Sequence, residues 1–197
     1  FAAGEVNQYT SVVLGDNKPD YGAEWHEFEK KQVVQHLNVG SDKKVLDIGC
    51  GIGRWAENII DHCGEYIGTD FSDEMIKSAG ERFKSYSNAL FINSSFQDIF
   101  KNKKIIGRKF DTVIIAGISM YINADLRKCY DSLTDILNEG AIVYIEESIG
   151  VNERLTLDHI WSDSLKDNYD AIYRTRKEYL ELMSGLMNRV QILKEGY

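Results

Sequence analysis

Apolar residues along this chain follow two alternating patterns. Short runs rich in Val, Ile and Leu are separated by longer stretches in which apolar positions recur every three or four residues. The runs Lys44–Ile48, Glu65–Asp70, Ala89–Asn93, Phe110–Ala116 and Ala141–Glu146 predict strands, and Arg189–Leu193 predicts a sixth. The periodic stretches predict helices over 24–37, 54–61, 72–83, 125–137, 156–165 and 176–186. Ser72 or Asp73 is placed to cap the third helix, and Asn138 and Gly140 to end the fourth. Continuous apolar strands alternating with amphipathic helices predict an α/β fold: a doubly wound, mostly parallel sheet with helices on both faces. Such sheets bind ligands beyond the carboxyl ends of the strands, where the strand order reverses. The loops after Ile48, Asp70, Asn93, Ala116 and Glu146 are therefore the ones to inspect.

The predicted organisation is a single domain over 1–197. Residues 1–40 form an arm and lid helix, 41–150 the ligand-binding core, 151–187 helices on the far side of the cleft, and 188–197 the sixth strand. No repeat or low-complexity segment interrupts it, and Pro19 is the only proline. A net charge of −8 disfavours nucleic acid as a partner, since such a surface repels polyphosphate. The basic run Lys101–Lys109 lacks interleaved aromatics and is expected to be a solvated loop. Cys50, Cys63 and Cys129 are odd in number and form no C-x-x-C pair, so neither disulfides nor a metal site is expected. That pattern fits a reducing cytoplasm. No apolar stretch is long enough to span a membrane, and the first residues lack the basic start and apolar run of a signal peptide. The first residue is Phe rather than Met, as in a piece of a longer polypeptide; the oligomeric state is not legible.

The strongest motif is Val45-Leu46-Asp47-Ile48-Gly49-Cys50-Gly51-Ile52-Gly53, three glycines between a predicted strand and a predicted helix. Glycine lets the backbone turn sharply and approach a ligand without a Cβ in the way. The acid Asp70 ends the next strand. A dinucleotide fingerprint, G-x-G-x-x-G, is not met, because its third position falls on Arg54. The alternating G-x-G-x-G with Asp47 two residues before it resembles the class I S-adenosylmethionine-dependent methyltransferases.

The resemblance implies a Rossmann-like methyltransferase fold, S-adenosylmethionine as cofactor and S-adenosylhomocysteine as product. By it, Asp47, Gly49, Cys50, Gly51 and Gly53 form the cofactor loop and Asp70 binds the ribose hydroxyls. A carboxylate there accepts hydrogen bonds from two vicinal hydroxyls and would repel a phosphate. Phe71 and Met75 would flank the adenine, and Ser95 and Phe96 would lie at its amino group, where the family more commonly has Asp. Asn93-Ser94-Ser95 also matches a glycosylation acceptor, a chance match in a cytosolic protein. Ala116, Gly117 and Ile118 would lie beside the methionine part, and Leu137-Asn138-Glu139-Gly140 resembles the family's Leu-x-Pro-Gly turn without its proline. Tyr21 or Trp25 would lid the cofactor, a ring face suiting a sulfonium.

Methyl transfer from a sulfonium needs an acceptor held in line, and an oxygen acceptor gains from a base. The candidates for that base are Glu146, Glu147, His159, Tyr121 and His26. The expected acceptor is a small molecule methylated on O or N, such as a sugar or another metabolite. Three alternatives stand beside it. Gly51-Ile52-Gly53-Arg54 and the Glu-Glu pair are also similar to enzymes that methylate protein amino termini. A cofactor-binding module without chemistry would keep the same turn. A nicotinamide enzyme would need a third glycine where Arg54 stands. Six strands against the family's usual seven lead to the expectation that the last strand is missing, replaced, or beyond these residues.

Overall fold

The computed structural model describes residues 21–123, 125–162 and 167–186. At its centre lie five parallel strands: β1 (Lys44–Ile48), β2 (Glu65–Asp70), β3 (Ala89–Asn93), β4 (Phe110–Ala116) and β5 (Leu137–Glu146). Their order is β3-β2-β1-β4-β5. The direction of winding therefore reverses between β1 and β4, which opens a crevice at their carboxyl ends.

The apolar runs are continuous because both faces of the sheet are covered. Val45 of β1 packs with Tyr66, Ile114, Trp55 and Ile59 on one face. Its neighbour Leu46 packs with Ile67, Val113 and Leu133 on the other. The first face carries α1 (Tyr21–Gln32), α2 (Ala56–Ile59) and the end of α3 (Asp73–Arg82); the second carries α4 (Leu126–Leu133) and α5 (Arg176–Leu182). Ser72 caps α3 by accepting the Met75 amide. Helix α5 starts with a reciprocal cap between Thr175 and Glu178.

Several predicted boundaries shift. The first helix ends at Gln32, with a 3-10 turn at Val34–His36, and α2 begins only at Ala56. Helix α4 stops at Leu133 and a 3-10 turn leads straight into β5, which starts at Leu137 rather than Ala141. Its pairing with β4 is irregular between Phe110 and Thr112, where Asn138–Gly140 is extra chain and Gly140 takes φ +72°.

One prediction is overturned. Of residues 156–165, expected to be helical, those described form β6 (Leu155–Ser162), which pairs antiparallel with β7 (Asp167–Tyr173) in a separate two-stranded sheet. The register shifts between Leu157 and Ile160, and His159 there has φ +56°. This bulge breaks the period of two, so the apolar residues fall at spacings that imitate a helix. The predicted strand Arg189–Leu193 lies outside the described residues. Among the described residues no helix is long and apolar enough to cross a membrane.

Candidate functional site

The turn after β1 is braced by β2. The amides of Gly49 and Cys50 both donate to the Thr69 carbonyl, at 2.7 and 2.9 Å. Gly49 has φ +78°, and a Cβ on it would run into the Ile118 side chain. Glycine is thus required there both by the turn and by the close approach of the loop after β4. Gly51, at φ +54°, donates its amide to Asp70 Oδ2 at 3.0 Å. The Ser72 amide donates to Asp70 Oδ1 at 2.9 Å. Burial holds the Asp70 carboxyl above its usual range, and these amides partly offset it. Each Asp70 oxygen keeps a further lone pair for a ligand hydroxyl. Phe71 beside it is 68% exposed, a large ring left out of the core at the cleft edge.

The other residues expected to hold a cofactor divide. Ala116, Gly117 and Ile118 stand half-buried next to the turn, and the Gly117 amide is fixed on the Glu146 carbonyl. Asp47 is buried beneath the turn and accepts the Tyr66 hydroxyl at 2.5 Å. Its side chain is held on Tyr66 from beneath the turn. Cys50 is also buried, with its sulfur toward Gly68, so only its backbone faces the turn. Met75 is buried under α3. The Ser95 hydroxyl donates to Asp98 at 2.7 Å. The Phe96 ring is core, edge-on to Tyr130 with centroids 5.9 Å apart; it lines no cleft. The Tyr21 side chain lies outside what the structure describes. Trp25 stacks on Phe28 and donates its indole N–H to Glu146 Oε1 at 2.7 Å.

Glu146 is therefore part of a latch. Arg54, directly after the glycine turn, pairs with Glu29 of α1 and reaches Glu146 at 3.5 Å. Glu29 and Arg54 are both buried. Burial raises the Glu146 pKa, and Arg54 and Trp25 oppose that. His26 sits on the same helix, buried, 3.6 Å from Glu57, with its pKa lowered chiefly by burial. It faces α2 rather than the crevice. His159 is exposed in the bulge, its backbone amide held by Asp170.

Glu147 and Tyr121 lie near one another at the loop after β4. Glu147 Oε1 accepts the Ser119 amide at 2.9 Å. Burial pushes its pKa up to about 7. Tyr121 is 40% exposed, with its hydroxyl pushed up to about 12 by burial and by the charges of Tyr169 and Glu147. Sequence reasoning missed Arg174, which clamps this loop. Its guanidinium donates to the carbonyls of Ser119 and Ile122 at 2.8 and 2.6 Å from a buried position. Ser119 Oγ also lies 2.7 Å from the Tyr130 hydroxyl. No spacing in the sequence links residues so far apart.

Known proteins are similar to this chain in sequence and fold. Residues 46–143 match the methyltransferase domain family. An uncharacterized methyltransferase of Schizosaccharomyces pombe is 37% identical over 186 residues, covering 84% of this chain and 70% of its own. The demethylmenaquinone methyltransferase of Staphylococcus saprophyticus is 27% identical over 128 residues, covering 64% of this chain and 53% of its own. A solved SAM-dependent methyltransferase from Leishmania major superposes with TM-score 0.62 at 15% identity, over 90% of this chain and 69% of that one. The chain spans between a third and about half of the length of its demethylmenaquinone and ribosomal RNA methyltransferase relatives.

Proposed function

The chain belongs to the class I S-adenosylmethionine-dependent methyltransferases, and from that premise we propose that it transfers the methyl group to a small-molecule acceptor. The observation that carries this reading is the meeting of Gly49, Asp70 and Ile118 at the switch point of the sheet. When bound, S-adenosylmethionine supplies a methyl group already activated on sulfur. Asp70, backed by two amides, holds the ribose hydroxyls, and Phe71 offers its exposed face to the adenine. Residues 116–118 border the methionine end. The latch of Arg54, Glu29, Glu146 and Trp25 holds α1 over that end and keeps water out.

Among the base candidates Glu147 fits best. Its carboxyl, raised to about 7, titrates where a base is most effective, and it follows β5 directly, held on the Ser119 amide of the loop after β4. Glu146 is engaged with Trp25 and Arg54, and His26 faces Glu57. The chain's net charge favours a small acceptor over nucleic acid.

A labelled-methyl assay on metabolite pools and on ribosomal RNA tests this. Label in a small-molecule fraction is expected, falling about a hundredfold in Glu147→Gln. Label in RNA alone would contradict the acceptor assignment. Cofactor binding without transfer to any acceptor would favour a regulatory module instead.

A further inference from the structure

The charge of this chain is unevenly placed. Between Leu155 and Tyr173 the sequence holds four carboxylates and one cation, a net −3 out of the chain's −8. The next cation, Arg174, is buried on two carbonyls and offers no surface charge. This acidic stretch is the one that builds β6 and β7, beside the loop after β4.

The register of the hairpin puts Leu155, Ile160, Tyr169 and Tyr173 on one face. The hydroxyls of Tyr169 and Tyr173 lie 3.5 Å apart. Tyr169 and Glu147 both act on the half-exposed Tyr121. Glu147 keeps one oxygen, Oε2, buried without a well-formed hydrogen bond, while the Tyr179 hydroxyl stands beside it. Three tyrosine rings and a carboxylate thus gather beside the loop after β4.

We propose that the methyl acceptor is an amine, drawn in as its ammonium cation by the acidic hairpin and held by Tyr121, Tyr169 and Glu147. The proposal rests on the methyltransferase reading above. Aromatic faces attract an ammonium group. Excess carboxylate steers cations in and repels phosphorylated acceptors. The bound ammonium gives one proton to Glu147. The freed nitrogen lone pair forms the N–CH3 bond as the donor's carbon–sulfur bond breaks, the electron pair staying on sulfur. The methylated nitrogen leaves as a cation, and Glu147 returns its proton to solvent. The groups around Glu147 are the Ile118 and Ser119 amides, the Ser119 hydroxyl, Tyr121, Tyr130, Tyr179 and Glu146.

Tyramine and trialanine amide, each against its N-acetylated form, are titrated calorimetrically into protein saturated with S-adenosylhomocysteine. At least one amine is expected to bind ten times more tightly than its acetylated form. Preference for tyramine marks a small-molecule source, and preference for trialanine amide a peptide amino terminus. Glu147→Gln should weaken the amine about tenfold and leave S-adenosylhomocysteine affinity unchanged. Tyr169→Ala should weaken it about fivefold, whereas Tyr169→Phe, which keeps the ring, should not. The surface double variant Asp158→Asn with Asp167→Asn should weaken it about threefold at low salt. Bound S-adenosylhomocysteine with no preference for either amine overturns this proposal alone. No binding of S-adenosylhomocysteine overturns the methyltransferase reading and this proposal together.

Discussion

Asp47 and Asp70 show how environment assigns work to one residue type. Both lie at or near the end of a central strand, 2.5 Å and 3.0 Å from their respective partners Tyr66 and Gly51. Asp47 is sealed beneath the turn, and burial raises its pKa to about 7. Glu147 is raised to about 7 for the same reason. Unfolded carboxylates release their protons near pH 4. Between about pH 4 and 7 the folded chain therefore holds more protons than the unfolded one, and stability falls as pH rises through that window. A melting-temperature series from pH 4.5 to 8 should show this decline, with a shallower slope in Asp47→Asn. An unchanged slope in that variant would contradict the assignment. At this scale the sequence was most informative where chemistry is local. The glycine turn and Asp70 were legible because a sharp turn and a strand-end acid leave a short signature. The burial of Phe96 and the side-chain partner of Asp47 were not, because neighbours distant in the chain decide them.

Among the elements, the helix that covers the turn is tied by side chains far apart in sequence. Arg54 joins Glu29 of α1 to Glu146 at the end of β5. Breaking a buried pair by removing one partner costs about 3–5 kcal/mol. Arg54→Ala should lower stability by roughly that amount and raise hydrogen exchange in residues 21–32. Wild-type protection of α1 in that variant would show that the latch does not hold it. Arg174 does the corresponding work for the loop after β4, and Arg174→Lys, which cannot span both carbonyls in the same way, should weaken acceptor binding more than cofactor binding. Equal loss of both would make Arg174 a general scaffold. Periodicity predicted the five central strands because each is uniformly apolar and enclosed. It failed for β6, where the bulge at Asp158 and His159 displaces Ile160 and Trp161 from alternation. The latch and the Arg174 clamp carry no periodic signal at all.

Across the whole molecule, the strand order determines where chemistry can occur. Reversal between β1 and β4 brings the loops carrying Gly49, Gly51 and Ile118 to one edge, with Asp70 beside them. The acidic hairpin packs beside the loop after β4, which carries Ile118. The central claim is that this edge binds S-adenosylmethionine through the turn and Asp70. Titration calorimetry with S-adenosylhomocysteine tests it most directly. The account predicts saturable one-to-one binding, weakened about ten- to a hundredfold by Asp70→Asn and unchanged by Asp73→Asn on the exposed side of α3. Absence of binding, or equal affinity in Asp70→Asn, would contradict it.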